Sequence, residues 1–72
     1  MKKIKKIKIK INGKFKTIKQ NTKLSNLIDF LKIPIKKVAI ELNEEIIDKK
    51  ILNKIVLKNN DKVEIVHFIG GG

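Results

Sequence analysis

The 72-residue sequence contains no cysteine, no tryptophan and no tyrosine, and Pro34 is its only proline. The absence of cysteine excludes a disulfide framework, a thiolate metal site, a cysteine nucleophile and a persulfide carried on one of the chain's own side chains. The basic N-terminus alternates in polarity and leads into no long apolar stretch, which argues against a secretory signal and a membrane span. We therefore expect a cytoplasmic domain that binds no membrane.

Side chains suited to catalysis are also scarce. The sequence has one histidine, His67, and it has no Ser/His/Asp set, no metal-spaced histidine cluster and no glycine-rich loop between a strand and a helix. A lone histidine near a strand end is usually a packing or surface residue, and the adjacent Glu44 and Glu45 beside a turn are usually solvated. The sequence thus predicts no catalytic residue, no metal site and no bound cofactor.

The formal net charge of +11 is distributed unevenly along the chain. Residues 1–37 carry thirteen lysines and one acid, whereas residues 38–72 carry five lysines and six acids. Such a one-sided basic surface suggests either nucleic acid or an acidic protein as partner. Because the chain lacks arginine and has only three phenylalanines for base stacking, its composition argues against nucleic acid. We expect most of the lysines to face solvent.

The first third of the chain predicts a β-hairpin. Isoleucine alternates with lysine over residues 6–11, and Asn12-Gly13 is a strong hairpin signal. A two-residue turn would place Phe15 on the lysine face, whereas a three-residue loop through Lys14 would place it on the isoleucine face. We predict the longer loop, with Gly13 at positive φ.

One amphipathic helix follows the hairpin, because the apolar residues between positions 24 and 31 have helical spacing. Thr22 or Asn21 is expected to cap its first turn, and Pro34 requires the helix to have ended before Ile33. After the helix, the sequence predicts a strand over residues 38–42, a turn at Asn43-Glu44 and a short strand around Ile46 and Ile47. An irregular segment with at most one helical turn is expected over residues 48–57. A turn over residues 59–61 then leads into a last strand over residues 62–68.

The element order ββαβββ predicts an α+β fold, with a mixed four- to five-stranded sheet packed on one main helix. Ubiquitin-like β-grasp domains have this order, whereas a small five-stranded barrel would need more evenly spaced strands and no central helix. We expect a β-grasp domain over residues 1–69 and a flexible glycine tail over residues 70–72.

The sequence ends on Gly70-Gly71-Gly72, which are three of its four glycines. The ending DKVEIVHFIGGG, together with NGK early and ELNEEII midway, resembles the ThiS family, the sulfur carriers of thiamine thiazole biosynthesis. The resemblance spans the whole chain and is most specific in the last dozen residues. The chain departs from the family in the midway turn, where Asn43-Glu44 replaces a more usual Asn-Gly.

This resemblance implies a protein co-substrate that is not itself an enzyme. Gly72 would be adenylated by a ubiquitin-activating-type, ThiF-like adenylyltransferase that uses ATP, and then converted to a thiocarboxylate with sulfur from a cysteine desulfurase or another sulfur donor. A ThiG-like thiazole synthase would receive the sulfur. Gly70 and Gly71 would thread into the partner's active site, since residues without Cβ form a narrow segment.

Alternation in the last strand places Val66 and Phe68 on the face opposite Val63 and Ile65. If the helix covers the face of Val63, then Val66, Phe68 and the following Ile69 are candidate docking residues for partner enzymes. A bulge that turns Phe68 inward is the alternative.

Three other functions stay open at the level of the sequence. The chain could be a sulfur carrier like the small subunit of molybdopterin synthase, which resembles this fold and ends in two glycines. It could also be a ubiquitin-like modifier of lysines, or a basic nucleic-acid-binding module with an incidental glycine tail.

Overall fold

The structure, a computed structural model, describes residues 5–68. Its elements are β1 (Lys6–Ile11), β2 (Lys14–Lys19), α1 (Leu24–Phe30), a first 3-10 helix (Ile35–Lys37), β3 (Val38–Leu42), β4 (Glu45–Ile46), a second 3-10 helix (Lys49–Lys54) and β5 (Lys62–His67). The strands form one sheet in the order β2-β1-β5-β3-β4. Strands β1 and β5 are parallel and the other neighbours are antiparallel, so the predicted mixed sheet with one main helix is confirmed.

The core lies between α1 and one face of the sheet. The helix contributes Leu24, Leu27 and Ile28, the stripe predicted from its spacing. The other buried residues are Ile9, Ile18, Val38, Ile40, Leu52, Leu57, Val63 and Ile65. Each fully buried Val, Leu or Ile side chain contributes about 1.5–3 kcal/mol relative to exposure, so this layer is the main stabilising feature of a small domain.

The first hairpin differs from the prediction. Ile11 pairs with Lys14, so the turn contains only Asn12 and Gly13, at φ 48° and 84°. Two consecutive positive φ values define a type I′ turn, whose twist matches that of the flanking strands. Phe15 therefore lies exposed on the lysine face. The three-residue loop was wrong because turn geometry, and not the burial of one phenylalanine, sets the register; the positive φ of Gly13 is confirmed.

The helix start also differs from the prediction, because no side chain caps α1. The N-cap residue is Lys23, and the Thr22 hydroxyl donates to the carbonyl oxygen of Lys19 at 2.7 Å. Asn21 has φ 70° and precedes the cap position by two residues. Backbone hydrogen bonds to residues 55–57 fix the start of the helix, so the predicted cap by Thr22 or Asn21 was wrong.

The remaining element predictions are confirmed except in the segment after β4. The helix ends at Phe30, before Pro34. Asn43 and Glu44 form a second two-residue turn with φ 52° and 73°.

The segment over residues 48–57 is more regular than predicted, because the second 3-10 helix spans six residues, or about two turns. The Asp48 side chain accepts from the backbone N–H of Lys50 at 2.8 Å and Leu52 packs into the core, so the prediction of at most one helical turn was wrong. Within the described residues, no helix is long and apolar enough to cross a membrane. The proposed boundary between domain and tail lies outside residues 5–68.

Candidate functional site

Strand β5 is the central strand of the sheet, and it leads toward the C-terminal glycines. It forms two residue pairs with β1 and five with β3. The backbone N–H of Phe68 donates to the carbonyl oxygen of Lys37 at 2.9 Å, so hydrogen bonding on the β3 side continues one residue past the strand. The sheet therefore positions the chain as far as Phe68.

On the β1 side of β5, Asn12 adds hydrogen bonds beyond the end of the strand pairing. Its Oδ1 accepts from the backbone N–H of Ile65 at 2.7 Å, and its Nδ2 donates to the Ile65 carbonyl oxygen at 3.3 Å. The Asn12 backbone N–H also donates to the carbonyl oxygen of Val63 at 2.9 Å. The amide side chain thus continues the β1 ladder beyond the last residue of β1. The sequence analysis missed this role because the predicted turn already accounted for the presence of Asn12 before Gly13.

The two faces of β5 have the environments predicted from alternation. Val63 and Ile65 are buried, whereas Val66 is 49% and Phe68 54% exposed. The bulge that would turn Phe68 inward is not formed. Lys49 Nζ lies 5.3 Å from the centroid of the Phe68 ring, which is a cation–π distance. The exposure needed for docking is present, and the docking role itself stays a prediction.

Two further apolar residues share the outer face of the sheet, opposite the helix. Ala39 pairs with Val66, and Ile46, which is 76% exposed, pairs with Glu41 on the same strand as Ala39. We call Ala39, Ile46, Val66 and Phe68 the outer patch. The sequence analysis did not predict that Ala39 and Ile46 contribute to this patch. The face on which Ile46 lies depends on the register between β3 and β4, which the two-residue turn before β4 sets.

The outer face is divided by charge. Over β1 and β2 it carries the basic side chains of Lys6, Lys8, Lys10 and Lys19. Over β3 and β5, Glu41 and Glu64 face each other beside the outer patch. Glu44 forms an ion pair with Lys62 at 3.6 Å. Potential partners therefore meet a basic half and an apolar, weakly acidic half on one sheet face.

The residues predicted to carry the chemistry, Gly70, Gly71 and Gly72, lie outside the described residues, as does the candidate docking residue Ile69. Their roles stay predictions. His67 is exposed at the end of β5. Among residues 5–68, no three His, Asp or Glu side chains are grouped so that they could hold a metal ion.

Comparisons with known proteins identify the family of this chain. The model of the family described as "ThiS family" matches residues 9–72. The sulfur carrier protein ThiS of Bacillus subtilis (strain 168) is 37% identical over 65 residues, which are 89% of this chain and 98% of that protein. A thiazole synthase of Magnetococcus marinus is 36% identical over 66 residues, which are 92% of this chain and 20% of that protein. The chain thus spans a fifth of that relative, and the same share of a thiazole synthase from Paramagnetospirillum magneticum.

A solved structure supports the same assignment. The crystal structure of a thiamine biosynthesis protein (ThiS) from Geobacter metallireducens matches with a TM-score of 0.81 and 29% sequence identity. The match covers 92% of this chain and 100% of that chain. The predicted ubiquitin-like β-grasp fold is confirmed.

Proposed function

The chain belongs to the ThiS family, and on this basis we propose that it is a sulfur carrier for the synthesis of the thiazole of thiamine. The observation that carries the proposal is its similarity, over nearly the full length of both chains, to the sulfur carrier protein ThiS of Bacillus subtilis. The fold agrees, since the ThiS structure from Geobacter metallireducens matches over its whole length. In this function the chain is a co-substrate of other enzymes and has no catalytic residue of its own.

The carboxylate of Gly72 is proposed to be the group that carries sulfur. An ionised carboxylate is a poor electrophile, so a ThiF-like adenylyltransferase first joins it to AMP from ATP and releases pyrophosphate. The outer sulfur of a cysteine desulfurase persulfide then displaces AMP and forms an acyl disulfide with the donor cysteine. A thiol reductant cleaves this S–S bond, is itself oxidised to a disulfide, and leaves the thiocarboxylate on Gly72; a donor of sulfide would displace AMP and give the thiocarboxylate directly. Because the chain has no cysteine, none of its side chains can hold sulfur as a persulfide.

The position of β5 supports this use of the terminus. Hydrogen bonds hold the chain as far as Phe68, and four further residues lead to Gly72. Four fully extended residues reach at most about 14 Å. The body of the carrier must therefore dock close to the partner's active site. Val66 and Phe68 of the outer patch lie at this end of β5, so we propose that they, with Ile69 beyond them, contact the partner enzymes.

A ThiG-like thiazole synthase is proposed as the acceptor of the sulfur. In two relatives named thiazole synthase, a stretch similar to this chain is part of the same polypeptide. Physical linkage of two proteins raises their effective concentration and is useful where one acts on the other. The names of these relatives favour the thiazole pathway over a molybdopterin carrier or a modifier of lysines.

A variant with one alanine appended after Gly72 tests the proposed attachment site. The added residue moves the reactive carbonyl about 3.3–3.6 Å and adds a methyl group to a segment meant to enter a narrow channel. After incubation with ATP, an adenylyltransferase and a sulfur donor, intact-mass measurement should show the exchange of one oxygen for sulfur in the original protein and only background in the variant. The thermal midpoint should be unchanged, because the addition lies beyond the last strand.

The matched control carries the same alanine at the N-terminus, which should leave sulfur transfer intact. If the C-terminally extended protein acquired sulfur as fast as this control, without being trimmed, Gly72 would not be the attachment site.

A further inference from the structure

A groove lies between strand β2 and helix α1, on the side of the molecule away from β4. Its volume is about 490 Å³. Apolar side chains of Ile18, Leu27 and Phe30 line it, together with Lys6, Lys16 and Lys19. Neither β5 nor the outer patch contributes to this lining, so the groove is separate from the proposed carrier site.

Strand β2 forms one edge of the sheet as described, and its residues 16–19 line the groove. The N–H of Gln20 donates to the carbonyl oxygen of Lys5 at 2.8 Å, which fixes the phase of the ladder between β2 and β1. In an antiparallel pair the bonded positions alternate, so the backbone groups of Phe15, Thr17 and Lys19 point away from β1. An extended segment placed along β2 would find a row of peptide groups that can pair with its own.

The charged side chains that line the groove are all basic. Of its lining residues within the described chain, three are lysines and none is an acid. Asp29, the only acid among residues 1–37, lines a different groove. Phe30 is 72% exposed, and Lys16 Nζ lies 5.3 Å from its ring centroid. A large exposed aromatic ring bordered by cations is suited to a segment that carries both apolar and acidic side chains.

We propose that this groove binds an acidic, extended peptide segment of a partner protein, which adds to β2 as an extra strand. Successive side chains of a strand point to opposite faces, so alternate apolar side chains of the segment enter between Phe30 and Leu27 while acidic ones meet the lysines. A second copy of this chain fits poorly, because two paired β2 strands would bring their lysines together. Nucleic acid fits poorly, because it has no backbone groups to continue a sheet.

This site leaves β5 accessible, so the partner can hold the carrier while the C-terminus is used elsewhere. The inference rests on the groove alone and does not depend on sulfur transfer. A failure of either proposal therefore leaves the other standing.

Titration of the ¹⁵N-labelled full chain with a short synthetic peptide that alternates isoleucine with glutamate tests the proposal. The amide signals of Phe15, Thr17 and Lys19 should shift, and the exchange of these amides with solvent should slow, because they become donors in a new ladder. A peptide with lysine in place of glutamate should produce neither effect. Raising the salt concentration should weaken binding of the acidic peptide.

Matched variants locate the site. Phe30→Ala should weaken binding about tenfold, whereas Ile51→Ala, an exposed apolar residue outside both β2 and the groove, should not. Lys16→Glu should weaken binding about tenfold relative to Lys36→Glu, which has the same net charge but lies outside the groove. Because Phe30 and Lys36 are exposed, these changes should leave the fold intact, and melting curves verify this.

Several results would overturn the proposal. One is equal weakening by the groove variants and their controls, and another is a set of shifts confined to Lys8 and Lys10 on the outer face. Tighter binding of a single-stranded oligonucleotide at the same amides would identify a nucleic-acid site instead. Self-association through β2, measured by sedimentation, would identify a second copy as the occupant.

Discussion

Asn12 shows how one residue can serve both a turn and a neighbouring strand. It adopts φ 48° in the hairpin turn, and its side chain makes two hydrogen bonds to the backbone of Ile65. Asn tolerates the left-handed region better than most residues, and its amide has one donor and one acceptor side that match a peptide group. The turn and the support of β5 are thus coupled through a single side chain.

Replacing Asn12 separates these contributions. Asn12→Gly keeps the favourable backbone but removes both side-chain hydrogen bonds, so the free energy of unfolding should fall by about 1–3 kcal/mol. Asn12→Ala should cost about 1 kcal/mol more, because alanine is strained at positive φ. Urea denaturation measures both. Gly13→Ala is the control for strain alone, since an added Cβ at φ 84° meets no atom within 4 Å. If Asn12→Gly were as stable as the original protein, the bonds to Ile65 would contribute nothing.

Phe15 marks the limit of what residue patterns predict. The sequence identified the turn at Asn12-Gly13 but not its length, because burying an aromatic ring and keeping an ideal turn are opposing preferences of unknown size. In the structure the ring is exposed, with the Nζ atoms of Lys8 and Lys10 at 5.3 and 5.0 Å from its centroid. These cation–π contacts offset part of the stabilisation that burial of the ring would give, and at an exposed site such a contact contributes about 0.5–1 kcal/mol. A hydrophobicity pattern does not contain this contribution.

At the scale of elements, strand β5 gives the clearest agreement between sequence and structure. Its alternation alone predicted the buried pair and the exposed pair, because a strand has a fixed period of two. The start of α1 gives the clearest failure. The N–H of Leu24 donates to the carbonyl oxygen of Ile55 at 2.9 Å, so a segment distant in sequence supplies what a cap residue usually supplies. Local sequence signals do not report such long-range partners.

The exposed end of β5 yields a test of the outer patch. Phe68→Ala should lower the free energy of unfolding by less than about 1 kcal/mol, since half of the side chain is already in solvent. Its affinity for the two proposed partners, a ThiF-like adenylyltransferase and a ThiG-like thiazole synthase, should fall about tenfold, because an exposed aromatic ring is a typical anchor of an interface. Calorimetric titration measures the affinity, and Phe15→Ala on the basic half of the same face is the control. A Phe68→Ala variant that lost stability but bound both partners normally would contradict the assignment.

At the scale of the whole molecule, the excess of lysine lowers the free energy of unfolding. The net charge is +11, and residues 5–68 contain one ion pair. Like charges held in a compact domain repel each other, and salt screens this repulsion over about 10 Å at 0.1 M. Added salt should therefore stabilise the protein.

We expect the thermal midpoint to rise with sodium chloride by an amount that corresponds to about 1 kcal/mol, which is about 4–8 °C for a domain of this size. A variant in which the exposed Lys14 and Lys36 become glutamine should melt higher at low salt and respond less to added salt. A midpoint that stayed constant or fell as salt was added would show that the lysines are too well solvated to repel one another.

The placement of β5 has a mechanical consequence. A pull on the chain beyond Phe68 acts along the strand axis, and hydrogen bonds to β1 and β3 lie on both sides of that axis. Such a load shears many bonds at once, whereas a pull across a short edge strand such as β4 (Glu45–Ile46) would peel them apart singly. We therefore expect the domain to stay folded while tension is applied to the chain beyond Phe68.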